Sequence, residues 1–284
     1  MSADPPRGGR RRERRRRARS MAGEGRRGFV SLLPQLLTTG NLAAGFYSVT
    51  LSTQGSLERA GLAILVAAIF DTLDGRVARF ARATSRFGAE YDSIADTVSF
   101  GVAPALLAYQ AGALQQLGWT GWVLAFLYAA CAALRLARFN VSPGRYRGRF
   151  EGLPSPAAAG MVLASVWFGG FLRQSGLPLD VPAPLAGLGV ALVGLLMVSP
   201  VPYRSFKDIR LRGSYRHVVL MVIALVVILT KPSLTFFMVG MAYVASGPVE
   251  WLWRRRTGRL LEELPTPPSP GVAPAEAGER EATR

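Results

Sequence analysis

The stretch "AIFDTLDGRVARFARATSRFGAEYDSIADTVSFG", residues 68–101, joins two apolar segments and carries four aspartates: Asp71, Asp74, Asp92 and Asp96. An aspartate at the centre of a membrane helix costs about 2.5–3.5 kcal/mol, so four of them in such surroundings call for compensation. On a helix of about 100° per residue, Asp71, Asp74, Gly75 and Ala78 fall within roughly 100° of arc. On the next helix Gly88, Asp92, Asp96 and Ser99 fall within roughly 80°. Each helix thus carries a carboxylate stripe beside a glycine, where a ligand can approach the backbone closely. Two such stripes joined by a short connection can face each other, and four converging carboxylates repel unless a cation sits among them. Ligation by oxygen alone points to Mg²⁺ or Mn²⁺ rather than zinc. A pair of such ions suits phosphoryl transfer, in which charge neutralisation and positioning do most of the catalysis. The plainer uses of these carboxylates are pairing with Arg76, Arg79 or Arg82, or lining a proton path.

Working outward, the flanking sequence sets the fold class. Half of the 284 residues are hydrophobic, and the apolar runs approach the ~20 residues needed to cross a hydrocarbon core of ~30 Å. Eight spans are expected, at 33–52, 59–80, 91–113, 118–138, 155–173, 181–201, 216–231 and 233–252. The fold class is therefore all-α, a polytopic membrane protein with a six-helix core and two C-terminal helices. Residues 1–28 hold eleven arginines and almost nothing apolar, so they are expected to be a disordered tail. The transmembrane domain occupies 29–252, and 253–284, rich in Pro, Ala and Glu, forms a second disordered tail. The single cysteine, Cys131, excludes an internal disulfide, and the single histidine, His217, excludes a His-rich metal site.

Basic residues set the orientation. Arg79, Arg82 and Arg86 lie between spans two and three. Arg138, Arg145, Arg147 and Arg149 follow span four, Arg204, Lys207, Arg210 and Arg212 follow span six, and Arg254, Arg255 and Arg256 follow the last. The opposite loops offer only Arg59, Arg173 and Lys231. Both termini and the aspartates are thus expected on the cytoplasmic side of the cell membrane. The N-terminal arginines are read as contacts with anionic headgroups, with no nucleic-acid partner.

Asp71-x-x-Asp74-Gly75-x-x-Ala78-Arg79, then eight residues, then Gly88-x-x-x-Asp92-x-x-x-Asp96, resembles without a gap the motif of the CDP-alcohol phosphotransferase family. The resemblance implies that Asp71, Asp74 and Asp92 ligate divalent cations, two Mg²⁺ or Mn²⁺ ions, with Asp96 completing the cluster. It implies that Asp96 is also the catalytic base on the incoming hydroxyl. Asp74, Gly75, Ala78, Arg79 and Gly88 would then bind the CDP-linked lipid, and CMP would leave. "LLTTGNLAAGF" (36–46), "YDSIADTVSFGVAPA" (91–105), "LRLARFN" (134–140), "FEGLPSPAAAG" (150–160) and "VPYRSFK" (201–207) are similar to the membrane-type phosphatidylserine synthases of bacteria and archaea. This similarity covers about residues 30–210. It implies CDP-diacylglycerol and L-serine as substrates and a homodimer as the assembly.

Serine offers a carboxylate, an ammonium and a hydroxyl, and arginine is the natural bidentate partner for a carboxylate. Arg135, Arg138, Arg145, Asn140, Ser99 and Lys207 are the candidates for the acceptor pocket. Fixing topology is the alternative use for Arg138 and Arg145, and "GLPSP" reads as a rigid turn that starts a helix. Two rivals remain. A sister enzyme would take glycerol 3-phosphate or an inositol phosphate. A cation transporter would use the carboxylates as an ion path, but spans four to seven carry none to continue one and no inverted repeat is visible.

Overall fold

The computed structural model describes residues 32–81, 85–141, 149–176, 181–204 and 231–257. Residues 1–31 and 258–284, the span expected at 216–231 up to residue 230, Arg82, Arg145 and Lys207 lie outside the described residues, whereas residues 253–257, expected in the second tail, are helical. Helix α1 covers 32–53, α2 Leu57–Ala81 and α3 Arg86–Asp96. A single π-helical segment, Thr97–Val102, continues α3 directly into α4, Ala103–Gln110. A 3₁₀ turn at Gln115–Leu117 leads to α5, Trp119–Val141. Then come α6, Ser155–Gln174, α7, Ala183–Val198, and α8, Pro232–Thr257.

Among the described residues α5, α6 and α8 are long and apolar enough to cross a membrane, and α7 is a shorter apolar helix. Helix α2 has 25 residues, ~37 Å at 1.5 Å per residue. Its burial pattern is that of a lipid-facing helix. Ala60, Ala63 and Ala67 are buried while Leu62, Val66, Ile69 and Leu73 are exposed. Small residues let neighbouring helices approach, and large apolar ones are left for the acyl chains.

Two buried clusters hold the helices together. One gathers Leu51, Ile64, Phe100, Leu107 and Leu163, from α1, α2, the π segment, α4 and α6. The other centres on Tyr128, Leu153, Met197 and Tyr203 and joins α5, α6, α7 and α8. Glycines mark the closest helix approaches. A Cβ on Gly45 would collide with Ser99, and one on Gly194 would lie 3.1 Å from Tyr128 Cα.

The architecture differs from a purely helical reading in one respect. Arg149–Glu151 (β1) and Pro202–Arg204 (β2) form an antiparallel ribbon, pairing Arg149 with Arg204, Phe150 with Tyr203 and Glu151 with Pro202. The stretches "FEGLPSP" and "VPYRSFK", distant in sequence, therefore meet. Hydrogen bonds from Gly152 N to Val201 O and from Leu153 N to Leu196 O, both 2.9 Å, extend the junction to the start of α6. As "GLPSP" suggested, a rigid turn precedes that helix, with proline in its first turn. Gly152 adopts a φ of +77°, and a Cβ there would strike the Met197 carbonyl. A left-handed non-glycine residue costs about 1–2 kcal/mol before any clash. Gly152→Ala should therefore lower the thermal midpoint of the purified protein by about 4 °C or more. An unchanged midpoint would show that the junction tolerates the methyl group.

Candidate active site

The site is built where α1, α2 and α3 meet. Helix α2 presents Asp71 and Asp74 one turn apart, and α3 presents Asp92 and Asp96 with the same logic. One carboxylate oxygen from each of Asp71, Asp74 and Asp92 lies within 4.8 Å of the others. Oxygens gathered this closely form a group that could hold a divalent cation, a small closing movement bringing them to the roughly 2.0–2.1 Å that Mg²⁺ demands. Asp92 Oδ1 is buried without a hydrogen-bond partner. A buried anionic oxygen left bare is costly, and a hard cation would satisfy it. The donor set thus fits Mg²⁺ or Mn²⁺.

The remaining groups arrange these carboxylates. The Thr38 hydroxyl lies 3.0 Å from Asp74 Oδ2 and 3.0 Å from the Pro34 carbonyl, donating to one of the two. Asn41 Nδ2 donates to Asp96 Oδ1 at 2.9 Å. Asp96 is buried on the protein side of the triad, within electrostatic reach of Asp71, Asp92 and Asp74. Neither Thr38 nor Asn41 was singled out from sequence. Their signal was the "TTGN" run within the first expected span, too short to assign a role.

A cleft of about 150 Å³ opens beside the triad, lined by Gly75, Ala78, Gly88, Asp74 and Asp92 together with Pro34, Gln35 and Thr38 of α1. Gly75 and Gly88 keep its walls low. The Arg79 guanidinium stands by Gly75, 3.7 Å from where a Cβ would be. Ser85 caps α3 by accepting from Gly88 N at 3.0 Å, which fixes the rim opposite.

The acceptor candidates separate into distinct environments. Arg135 is buried, donates from Nη1 to Ser155 Oγ at 3.1 Å and keeps Nε without a partner. It lies within electrostatic reach of Asp96 and Tyr243. Asn140 is exposed and donates to Ser93 Oγ at 2.9 Å, tying α5 to α3. Arg138 instead holds backbone, donating to Val198 O at 3.1 Å and Glu151 O at 3.4 Å. Ser99 is fully buried and donates to the Asn41 carbonyl at 3.0 Å. The π segment, marked by the Ala103 N–H bonding to Val98 O, begins directly after Asp96, and Ser99, like Asp96, meets Asn41 of α1.

Comparison with known proteins bears on the same residues. Residues 31–249 match the profile of the CDP-alcohol phosphatidyltransferase family, past residue 210 where the motif resemblance stops and into α8. A CDP-diacylglycerol–serine O-phosphatidyltransferase of Mycobacterium tuberculosis is 34% identical over 238 residues, covering 79% of this chain and 80% of that protein. One of Helicobacter pylori is 34% identical over 227 residues, covering 78% and 92%. The archaetidylserine synthase of Methanothermobacter thermautotrophicus is 38% identical over 176 residues, covering 60% and 69%.

Proposed function

The chain belongs to the CDP-alcohol phosphatidyltransferase family, and on that basis we propose that it transfers the phosphatidyl group of CDP-diacylglycerol to the hydroxyl of L-serine, giving phosphatidylserine and CMP. The observation that carries this reading is the Asp71–Asp74–Asp92 triad with its bare Asp92 oxygen, set in a chain whose relatives bear serine-transferase names. Asp71, Asp74 and Asp92 would hold the divalent cation, with Asp96 contributing to a second ion. The ions supply charge neutralisation on the diphosphate.

The chain's own residues do the rest. Gly75, Ala78 and Gly88 leave room for the nucleotide, and Arg79 pairs with its phosphates. Asp96, steadied by Asn41, takes the proton of the serine hydroxyl. The serine oxygen forms a bond to the phosphorus that bears the diacylglycerol, and the bond from that phosphorus to the CMP oxygen breaks. Arg135 is the best-supported acceptor residue, because a buried guanidinium with an unpartnered Nε suits a carboxylate. Asn140, Arg145 and Lys207 complete the acceptor side, while Arg138 and Ser99 have other partners in the fold.

The catalytic unit spans residues 29–252, with residues 253–257 completing α8 and 1–28 and 258–284 as tails, and works as a homodimer. Its active site and both termini face the cytoplasm, where a polar acceptor reaches a lipid-borne donor. Incorporation of labelled L-serine into lipid by the purified protein tests the reading, and failure to incorporate it would overturn serine as acceptor.

Asn41 gives a finer check on Asp96. Asn41→Ala removes the amide that orients the base and should lower kcat about 10–100-fold, the usual scale for a supporting hydrogen bond. The KM for CDP-diacylglycerol should change little. Normal kcat would show that Asp96 is held by other means.

A further inference from the structure

We infer that Glu250, near the C-terminal end of α8 and outside the aspartate motif, is a positioning residue for the acceptor side of the reaction. This rests on serine being the acceptor. Glu250 closes the apolar run of α8, where a carboxylate needs partners, and it has three. Arg149 Nη2 reaches Oε1 at 2.8 Å, Arg254 Nη2 reaches the same oxygen at 2.8 Å, and Arg204 Nε reaches Oε2 at 3.2 Å.

Arg149 and Arg204 are the paired ends of the two ribbon strands, so one carboxylate clamps both strands to α8. Tyr203 strengthens the same joint, donating to Val244 O at 3.0 Å, and its ring lies where a Cβ on Gly247 would be. Tyr243 donates to Arg204 O at 3.3 Å.

The far end of the ribbon leads to Arg135. After Glu151 the chain turns through Gly152 and Leu153, both bonded to the α7–β2 segment, and delivers Ser155. Ser155 Oγ is the hydrogen-bond partner of Arg135. Arg138, one turn along α5, grips Glu151 O and Val198 O across the same junction. Glu250 thus fixes the ribbon, the ribbon fixes Ser155, and Ser155 orients the guanidinium offered to the acceptor. The donor cleft shares none of these parts, being built from α1, α2 and α3. Loosening the clamp should therefore weaken serine use while sparing the CDP-lipid.

The test is steady-state CMP release by the full chain in detergent, titrating L-serine and CDP-diacylglycerol separately. Glu250→Gln keeps the shape and removes the charge. It should raise the KM for serine about 5–20-fold, the scale of a weakened charged contact, with the KM for CDP-diacylglycerol and kcat within about 2-fold. Arg149→Met should act in the same direction. Combined with Glu250→Gln it should add little, because both break one interaction. Arg149→Met leaves Glu250 paired with Arg204 and Arg254, so it decides the matter if Glu250→Gln does not yield folded protein. An unchanged serine KM, equal shifts in both KM values, a loss confined to kcat, or additive effects would overturn the inference. Wild-type protein whose CMP release ignores serine would instead overturn the proposed acceptor, so the two failures are distinguishable.

Discussion

Asp92→Asn should abolish turnover, lowering the rate of CMP release about 10³-fold or more. Asp92 stands across from the two α2 carboxylates, within 4.8 Å of both, so the substitution removes the only α3 member of the triad. A cation's stabilisation of transition-state charge contributes several kcal/mol, and ~4 kcal/mol corresponds to about 10³ in rate. The amide keeps the size of the side chain and one oxygen, so packing should survive. Raising Mg²⁺ or Mn²⁺ should restore only part of the activity, since a neutral amide is a poorer ligand for a hard cation than a carboxylate. Near-normal turnover would refute the metal assignment. The thermal midpoint checks that lost activity is not lost fold.

Asp96→Asn should separate chemistry from binding. Asp96 is buried behind the triad and accepts from Asn41, well placed to receive a proton. Loss of a general base costs about 10²–10⁴-fold in rate. Binding of CDP-diacylglycerol should persist, because the cleft is formed by Gly75, Ala78, Gly88 and the other aspartates. If binding disappears together with turnover, Asp96 acts on the architecture of the site and not as its base.

How far the sequence discloses this molecule follows from the range of each interaction. The helices are legible because long apolar runs are a local property. Described helices lie at seven of the eight expected positions, three of them long and apolar enough to cross a membrane, and the aspartate stripes follow from helical spacing within single elements. The features that escape reading depend on distant partners. Arg149 and Arg204 look like topology-setting arginines until the ribbon brings them to Glu250. Arg138 looks like a ligand for the acceptor but spends its guanidinium on two backbone carbonyls. Ser99 faces Asn41 as Asp96 does, yet its hydroxyl is already engaged by the Asn41 carbonyl inside the fold. Asn41 and Thr38 reach the aspartates from a third helix, a meeting that no spacing within α2 and α3 can reveal.

The most direct test of the central claim is an acceptor panel for CMP release. Purified protein in detergent is given CDP-diacylglycerol with Mg²⁺ or Mn²⁺, and L-serine is compared with glycerol 3-phosphate, myo-inositol and inositol phosphate. Release that needs both the metal and L-serine, and is lost on chelation, is the predicted result. Metal-dependent release with a different alcohol would keep the carboxylate chemistry and contradict serine as the acceptor. Folded protein that releases no CMP with any of them would contradict the transferase itself.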